Sequence, residues 1–287
     1  MKIKKAVFPA AGFGTRFLPA TKAIPKEMLP LIDKPLIQYS VEEANNSGLD
    51  EIIIITGMGK TAIEDHFDIS FELESLLKEK GKTDILKMID DISSLIHFSY
   101  TRQKKPLGLG HAVLCAKNLV NREPFAVFLS DDVIDSRVPV MKQMLSVFDK
   151  YPATILAVQR VPEKDVHKYG IIKAEKVKDR IYRVFDMIEK PHPKDAPSNL
   201  AIIGRYILSP EIFEALENTH HGAGGEIQLT DGLRQIVKEQ DVYALEFEGT
   251  RYDAGDKVGF LMANVSYALK REDIKDEFKR FLKGLKI

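Results

Sequence analysis

Val7-Phe8-Pro9-Ala10-Ala11-Gly12-Phe13-Gly14-Thr15-Arg16 decides how this chain folds. A short apolar segment, read as a buried strand, empties into a glycine-rich turn that ends in a cation. Without a Cβ, Gly12 and Gly14 let the backbone turn sharply and set its N–H groups against an anion, and Arg16 supplies a planar fork of donors for phosphate oxygens. Ala10, Ala11, Gly12, Gly14 and Thr15 are therefore the candidate nucleotide-facing backbone, with Lys22, Lys26 and Glu27 following close behind. A dinucleotide fingerprint would need Gly or Ala at position 17, which is Phe17, and the Gly-Lys-Thr ending of a Walker loop is missing here.

Further apolar runs, Ile52-Ile53-Ile54-Ile55, Ile96-His97-Phe98-Ser99-Tyr100 and Phe125-Ala126-Val127-Phe128-Leu129, read as buried strands of a mostly parallel sheet. Helical patterns at Leu36 to Ser47, Thr61 to Phe67, Phe71 to Lys80 and Leu109 to Leu119 alternate with them. This alternation predicts an α/β, Rossmann-like sheet flanked by helices, with ligands at the carboxyl ends of its strands, where the glycine turn falls. The second half reads as a smaller β-rich subregion, antiparallel or mixed, over Ala153 to Val161, Gly170 to Val177, Ile181 to Glu189 and Leu200 to Leu208. Helices follow at Pro210 to Glu217 and Leu229 to Glu239, then a strand at Val242 to Phe247 and helices at Val258 to Lys270 and Asp273 to Leu285. The expected organisation is one catalytic domain over residues 1–270 and a helical extension over 271–287, which either covers a neighbouring subunit or presents a solvated face.

With 42 Lys and Arg against 42 Asp and Glu, the chain has no general attraction for nucleic acid or anionic membrane, so phosphate binding must be local. The lone Cys115 forms no intrachain disulfide and points to a reducing, cytoplasmic compartment. Met1-Lys2-Ile3-Lys4-Lys5 imitates the start of a secretory signal, but Pro9, Gly12 and Gly14 break the apolar run too early. No segment approaches the ~18 consecutive apolar residues of a membrane span.

Carboxylates stand at two strand ends. Phe125 to Ser130 runs into Asp131-Asp132, and Arg251-Tyr252-Asp253-Ala254-Gly255-Asp256 forms a second turn. Hard oxygen ligands at a strand tip suit Mg²⁺, which often takes only one or two protein carboxylates; the bland alternative is helix capping by these aspartates. Glu189-Lys190-Pro191 ends another strand, and alone would be a surface ion pair. Gln103 offers both a donor and an acceptor, and Gly108 opens a turn where a ligand can approach the backbone.

Phe8 to Pro30 as a whole, with its Gly-Phe-Gly-Thr-Arg and Pro-Lys-Glu-Met-Leu-Pro blocks, resembles the signature of the sugar-1-phosphate nucleotidyltransferases, and is most similar to their bacterial UTP–glucose-1-phosphate uridylyltransferase branch. The resemblance implies an Mg-dependent transfer of UMP from UTP to glucose 1-phosphate by a homodimer or homotetramer. It implies that Asp131 and Asp253 hold the metal, with Asp132 as support, and that Gln103 and Gly108 meet the base. Arg16 and the glycine turn would grip the triphosphate and Lys26 the reacting phosphate. Lys190 would meet the sugar phosphate, Glu189 the sugar hydroxyls, and the backbone at Gly170 and Gly204 would line the sugar pocket. Gly225 to Asp231 would support the sugar wall.

Competing readings are a thymidylyl- or other sugar-1-phosphate nucleotidyltransferase, and a regulatory paralogue without catalysis. An NAD-dependent oxidoreductase fails twice, since the Gly108 turn carries Val113 where Gly or Ala is required. Gly57-Met58-Gly59-Lys60-Thr61 ends like a Walker loop, but Ile54 stands where its first glycine belongs. His220-His221 have no third nearby ligand at zinc spacing and read as part of a mobile loop.

Overall fold

Strands form where the apolar runs lie. The computed structural model describes residues 2–219 and 225–285, so the paired His220 and His221 lie outside the described residues. Its main sheet contains β1 (Lys5–Ala10), β2 (Glu51–Thr56), β3 (His97–Arg102), β4 (Phe125–Phe128), β5 (Thr154–Arg160), β6 (Gly170–Lys178), β7 (Ile181–Glu189), β8 (Leu200–Leu208) and β9 (Val242–Glu246). They lie in the order β3-β2-β1-β4-β8-β5-β9-β7-β6. The first four are mutually parallel. Beyond them the sheet is mixed: β8 runs antiparallel to β4 and β5, β9 parallel to β5, and β7 antiparallel to β9 and β6.

Period-2 alternation explains the core. Ile52 and Ile54 enter the apolar layer on one sheet face, Ile53 and Ile55 the layer on the other, and all four are fully buried. Each such side chain contributes about 1.5–3 kcal/mol on burial. Phe8 of β1 stacks on Phe128 of β4 at 4.9 Å between ring centroids, which locks these two neighbouring strands together. Because β2 and β4 flank β1 on opposite sides, the strand order reverses at β1, and the crevice at its carboxyl end is the expected ligand position.

Helices α1 (Leu36–Asn46), α2 (Thr61–Phe67), α3 (Phe71–Glu79), α4 (Thr83–Ser93), α5 (Leu109–Leu114), α6 (Lys117–Val120), α7 (Val140–Phe148), α8 (Ile212–Glu217), α9 (Leu229–Glu239), α10 (Lys257–Ala268) and α11 (Lys275–Gly284) complete the fold. None is long and apolar enough to cross a membrane. The single helix expected over Leu109 to Leu119 is two, because Ala116 N donates to Val113 O three residues back and tightens the turn between α5 and α6. The sequence reading missed α4, whose apolar positions are only partly covered and carry no fully buried residue. It also missed a two-stranded ribbon, Asp132–Asp135 against Thr250–Asp253, whose register sets Asp132 opposite Asp253. The capping alternative for the aspartates fails: α7 has no side-chain cap, and the cap of α10 is Asp256, which accepts from Val258 N and Gly259 N.

A bidentate ion pair from Arg234 to Asp186, at 2.7 and 3.0 Å, ties α9 to β7. The Arg234 guanidinium holds the Asp186 carboxyl below its usual pKa. Its stabilising effect is therefore present above the unfolded value of about 3.9 and is lost as pH falls through the depressed native value. Both groups are largely exposed, so Asp186→Asn should cost about 0.5 kcal/mol at pH 7 and nothing measurable near pH 2.5 in denaturant titrations. An equal cost at both pH values would contradict this.

Candidate active site

The turn after β1 is built as the glycines predict. Gly14 has φ 64°, and a Cβ there would stand 3.0 Å from Lys26 Cβ and 3.2 Å from Thr21 Cγ2, so a side chain would be both strained and crowded. Thr21 Oγ1 donates to Gly14 O at 2.8 Å and fastens the turn to the segment behind it. That segment, punctuated by Pro19, Pro25 and Pro30, forms only single 3-10 turns at Thr15–Phe17, Ala20–Lys22 and Lys26–Met28. It packs through Leu29 and Leu31 on Ala263 of α10, which fixes where Lys26 points.

Ala11, Gly12, Lys26, Gln103, Gly108 and Asp131 line one cleft of about 390 Å³ at the carboxyl edge of the parallel strands. A larger groove of about 620 Å³, between Arg122 and Tyr243, lies at the opposite edge, remote from these groups. Within the cleft, Lys26 Nζ lies 2.6 Å from Asp131 Oδ2. Burial disfavours the Lys26 charge, but Asp131 and Glu27 outweigh it and hold its pKa above the ordinary lysine value. Burial likewise opposes ionisation of Asp131, and the Lys26 ammonium more than compensates, keeping that carboxyl below its usual range. Both groups stay charged at neutral pH.

Asp253 faces Asp131 across Gly255. A Cβ on Gly255 would lie 2.9 Å from Asp131 Oδ2 and 3.0 Å from Asp253 Oδ1, so the two carboxylates converge on a space that only glycine leaves open. Ala254 N donates to Asp131 O at 2.8 Å, joining the two turns by their backbones. Burial raises the Asp253 pKa above its usual value, and Arg251 offsets part of the effect. Among the described residues no cluster of three or more metal-ligating side chains exists, a sparse donor set of the kind that leaves other positions to phosphate and water. Asp132 points away: Arg251 Nε donates to its Oδ1 and Gly204 N to its Oδ2.

The remaining candidates occupy two further places. Arg16 is exposed, and its Nη1 reaches Gly255 O at 3.3 Å. Glu189 lies opposite Gly170 in the β7–β6 register and accepts from Thr230 Oγ1 at 2.6 Å. Lys190 follows with φ 47° and an exposed ammonium 3.4 Å from Glu189 Oε1. Arg251 links this group to the carboxylates, donating to Tyr169 OH at 3.1 Å and pairing with Asp253 at 3.2 Å. Gly204 sits beneath the Asp131 loop, with its N–H committed to Asp132 and its C=O accepting from Leu129 N.

Sequence reasoning gave no role to Arg205 or Arg251 and missed the Lys60–Glu27 pair, whereas Thr230 falls within the Gly225 to Asp231 stretch expected to support the sugar wall. Arg205 had a visible signal, a charge inside the apolar run Leu200 to Leu208. Lys60, from the Walker-like decoy, reaches Glu27 at 2.7 Å with both side chains at least nine-tenths buried; burial raises the Glu27 pKa and lowers that of Lys60. Nothing in a single sequence pairs these positions.

Gly204→Ala tests the support of the carboxylate loop. An added Cβ would overlap the Asp132 carboxylate and stand 2.6 Å from Leu129 Cβ. We expect a loss of about 1–3 kcal/mol in denaturant stability. Wild-type stability would show that the loop yields freely.

The Nucleotidyl transferase family profile matches residues 5–270. A UTP–glucose-1-phosphate uridylyltransferase of Bacillus subtilis is 51% identical over 284 residues, covering 99% of this chain and 97% of that protein. A crystal structure of UDP-glucose pyrophosphorylase complexed with UDP-glucose is 49% identical with a TM-score of 0.88, covering 94% of this chain and 100% of that one. A UTP-bound UGPase from Acinetobacter baumannii is 40% identical with a TM-score of 0.92, covering 99% of this chain and 100% of that one.

Proposed function

Because the chain belongs to the nucleotidyl transferase family, we propose that it transfers UMP from UTP to α-D-glucose 1-phosphate, giving UDP-glucose and pyrophosphate. The observation that carries this reading is the 51% identity, over nearly the whole of both chains, with a protein named for that reaction. The cleft chemistry agrees with it. The second ionisation of a phosphate monoester lies near pH ~6, so glucose 1-phosphate is largely a dianion at neutral pH and needs no general base. Its oxygen attacks the α-phosphorus of UTP in line as pyrophosphate departs, with no covalent enzyme intermediate. The protein's work is alignment and charge stabilisation.

In this reading Ala10, Ala11, Gly12, Gly14 and Thr15 present backbone to the triphosphate, and Arg16 closes over it. Lys26, kept cationic by Asp131, contacts the phosphate at the reacting end. Lys190, on its exposed turn, orients the attacking sugar phosphate, while Glu189 and the backbone at Gly170 and Gly204 hold the sugar. The convergence of Asp131 and Asp253 on the space above Gly255 fits a hard divalent cation, which we take to be Mg²⁺. When bound, that cation neutralises triphosphate charge. Gln103 and Gly108 receive the base. Residues 271–287 form an extension beyond the catalytic unit 1–270, supported by α11 having no buried residue. We further propose a cytoplasmic homodimer or homotetramer, for which the exposed Val258, Leu261 and Met262 of α10 offer an apolar contact.

Pyrophosphate release with glucose 1-phosphate and Mg²⁺ tests the function. UTP should be used far better than dTTP, ATP, GTP or CTP, and EDTA should abolish release; preference for dTTP, or no release with any nucleotide, would overturn the reading. Lys190→Ala should lower kcat/KM by roughly 100-fold or more with an unchanged melting temperature. Near-normal turnover would remove Lys190 from the mechanism.

A further inference from the structure

The side-chain amide of Gln103 is held from two sides. Its Nε2 lies 3.1 Å from Gly108 O and 2.9 Å from His111 Nδ1. A carbonyl oxygen only accepts, so the atom facing Gly108 is the amide nitrogen, and its two hydrogens go to Gly108 and His111. The Nδ1 of His111 is then an acceptor, and the neutral ring carries its proton on Nε2. Both anchors are themselves fixed: Gly108 O also accepts from Ala112 N at 3.1 Å, and Gly110 N donates to Ile227 O at 2.8 Å. The Gln103 backbone is pinned through its N–H to Thr56 O at 2.9 Å. With the nitrogen committed, Oε1 is the polar atom that Gln103 has left for the cleft it lines.

We propose that His111 is a specificity-positioning residue: by holding the Gln103 amide in one orientation it presents an acceptor, and only an acceptor, to the nucleotide base. The inference rests on the functional reading above, in which Gln103 meets the base. Uracil offers a ring N3–H to such an acceptor. Cytosine offers an unprotonated N3 at the same place, so two acceptors would face each other and a buried polar group would go unpaired. Thymine has the same imide edge as uracil and passes the same filter, so discrimination between them falls to other contacts. Without the His111 acceptor only Gly108 O still opposes the turned-over amide, so the orientation that exposes NH₂ and suits cytosine is disfavoured by one hydrogen bond fewer.

The test is kcat/KM for UTP and for CTP in the wild type, His111→Leu and His111→Asn. Leucine fills the space but cannot accept, and the UTP/CTP ratio should fall about tenfold, the worth of one neutral hydrogen bond. Asparagine places Oδ1 where Nδ1 stood, so the ratio should stay within about threefold of wild type, a rescue that a purely space-filling role would not give. The wild type should also reject 3-methyl-UTP, which lacks the N3–H, by roughly 100-fold or more. This last measurement needs no variant and holds if His111→Leu does not fold. An unchanged ratio in a folded His111→Leu, an equal loss in both variants, or ready use of 3-methyl-UTP would overturn the proposal. A wild type inactive with every nucleotide would instead overturn the functional reading beneath it, whereas an active one whose His111→Leu keeps its UTP/CTP ratio rejects the role of His111 alone.

Discussion

One buried guanidinium holds the site's foundation together. Arg205 is 1% exposed in the middle of β8, and its Nε and Nη2 donate to Glu43 Oε2 of α1 at 3.0 and 2.8 Å. Its remaining donors reach Leu129 O, Gly204 O and Asp132 O at 2.9 to 3.1 Å, so it grips the loop carrying Asp131 on both sides of that residue. Glu43 uses its other oxygen to accept from Met141 N at the start of α7, and Arg205 stacks over Phe128 at 4.8 Å. Removing one partner of such a pair leaves an uncompensated buried charge, which costs about 3–5 kcal/mol. A helix on each side of the loop, β4 and β8 are thus referred to a single side chain, and the position of the Asp131 carboxylate follows from it.

Above that foundation the charges alternate. Lys60 faces Glu27, Lys26 faces Asp131, and Arg251 faces both Asp132 and Asp253. Each cation is held by an anion before any substrate arrives, so little reorganisation accompanies binding. That is the condition under which fixed charges lower a barrier most effectively. These pairs set three cations against four carboxylates, so in a chain of zero formal net charge they offer no net attraction for an anion by themselves.

Local rules made the frame legible. Four successive isoleucines between polar flanks could only be a doubly buried strand, and the Gly12 and Gly14 turn at the end of β1 fell at the switch in strand order. Asp131 and Asp253 were each readable as a strand-end carboxylate, yet their convergence depends on a ribbon pairing residues more than a hundred positions apart, which no local pattern encodes. Arg205 announced itself as a charge in an apolar strand, but its partner Glu43 sits on an unremarkable helix face. The amphipathic α4 went unread because its apolar side is only half covered, so its residues resemble a solvated helix and a loop equally well. Gln103 stood out in the sequence as an amide beside a glycine turn and lines the cleft in the structure, whereas the orientation of that amide needed coordinates.

In the single displacement proposed for this chain, the sugar phosphate oxygen and the departing pyrophosphate occupy opposite sides of one phosphorus. The stereochemical course at that atom examines this directly. With UTP made chiral by sulfur substitution at the α-phosphorus, one in-line displacement yields UDP-glucose of inverted configuration, which is the expected result; retention would require two displacements through a covalent enzyme intermediate and would contradict direct attack.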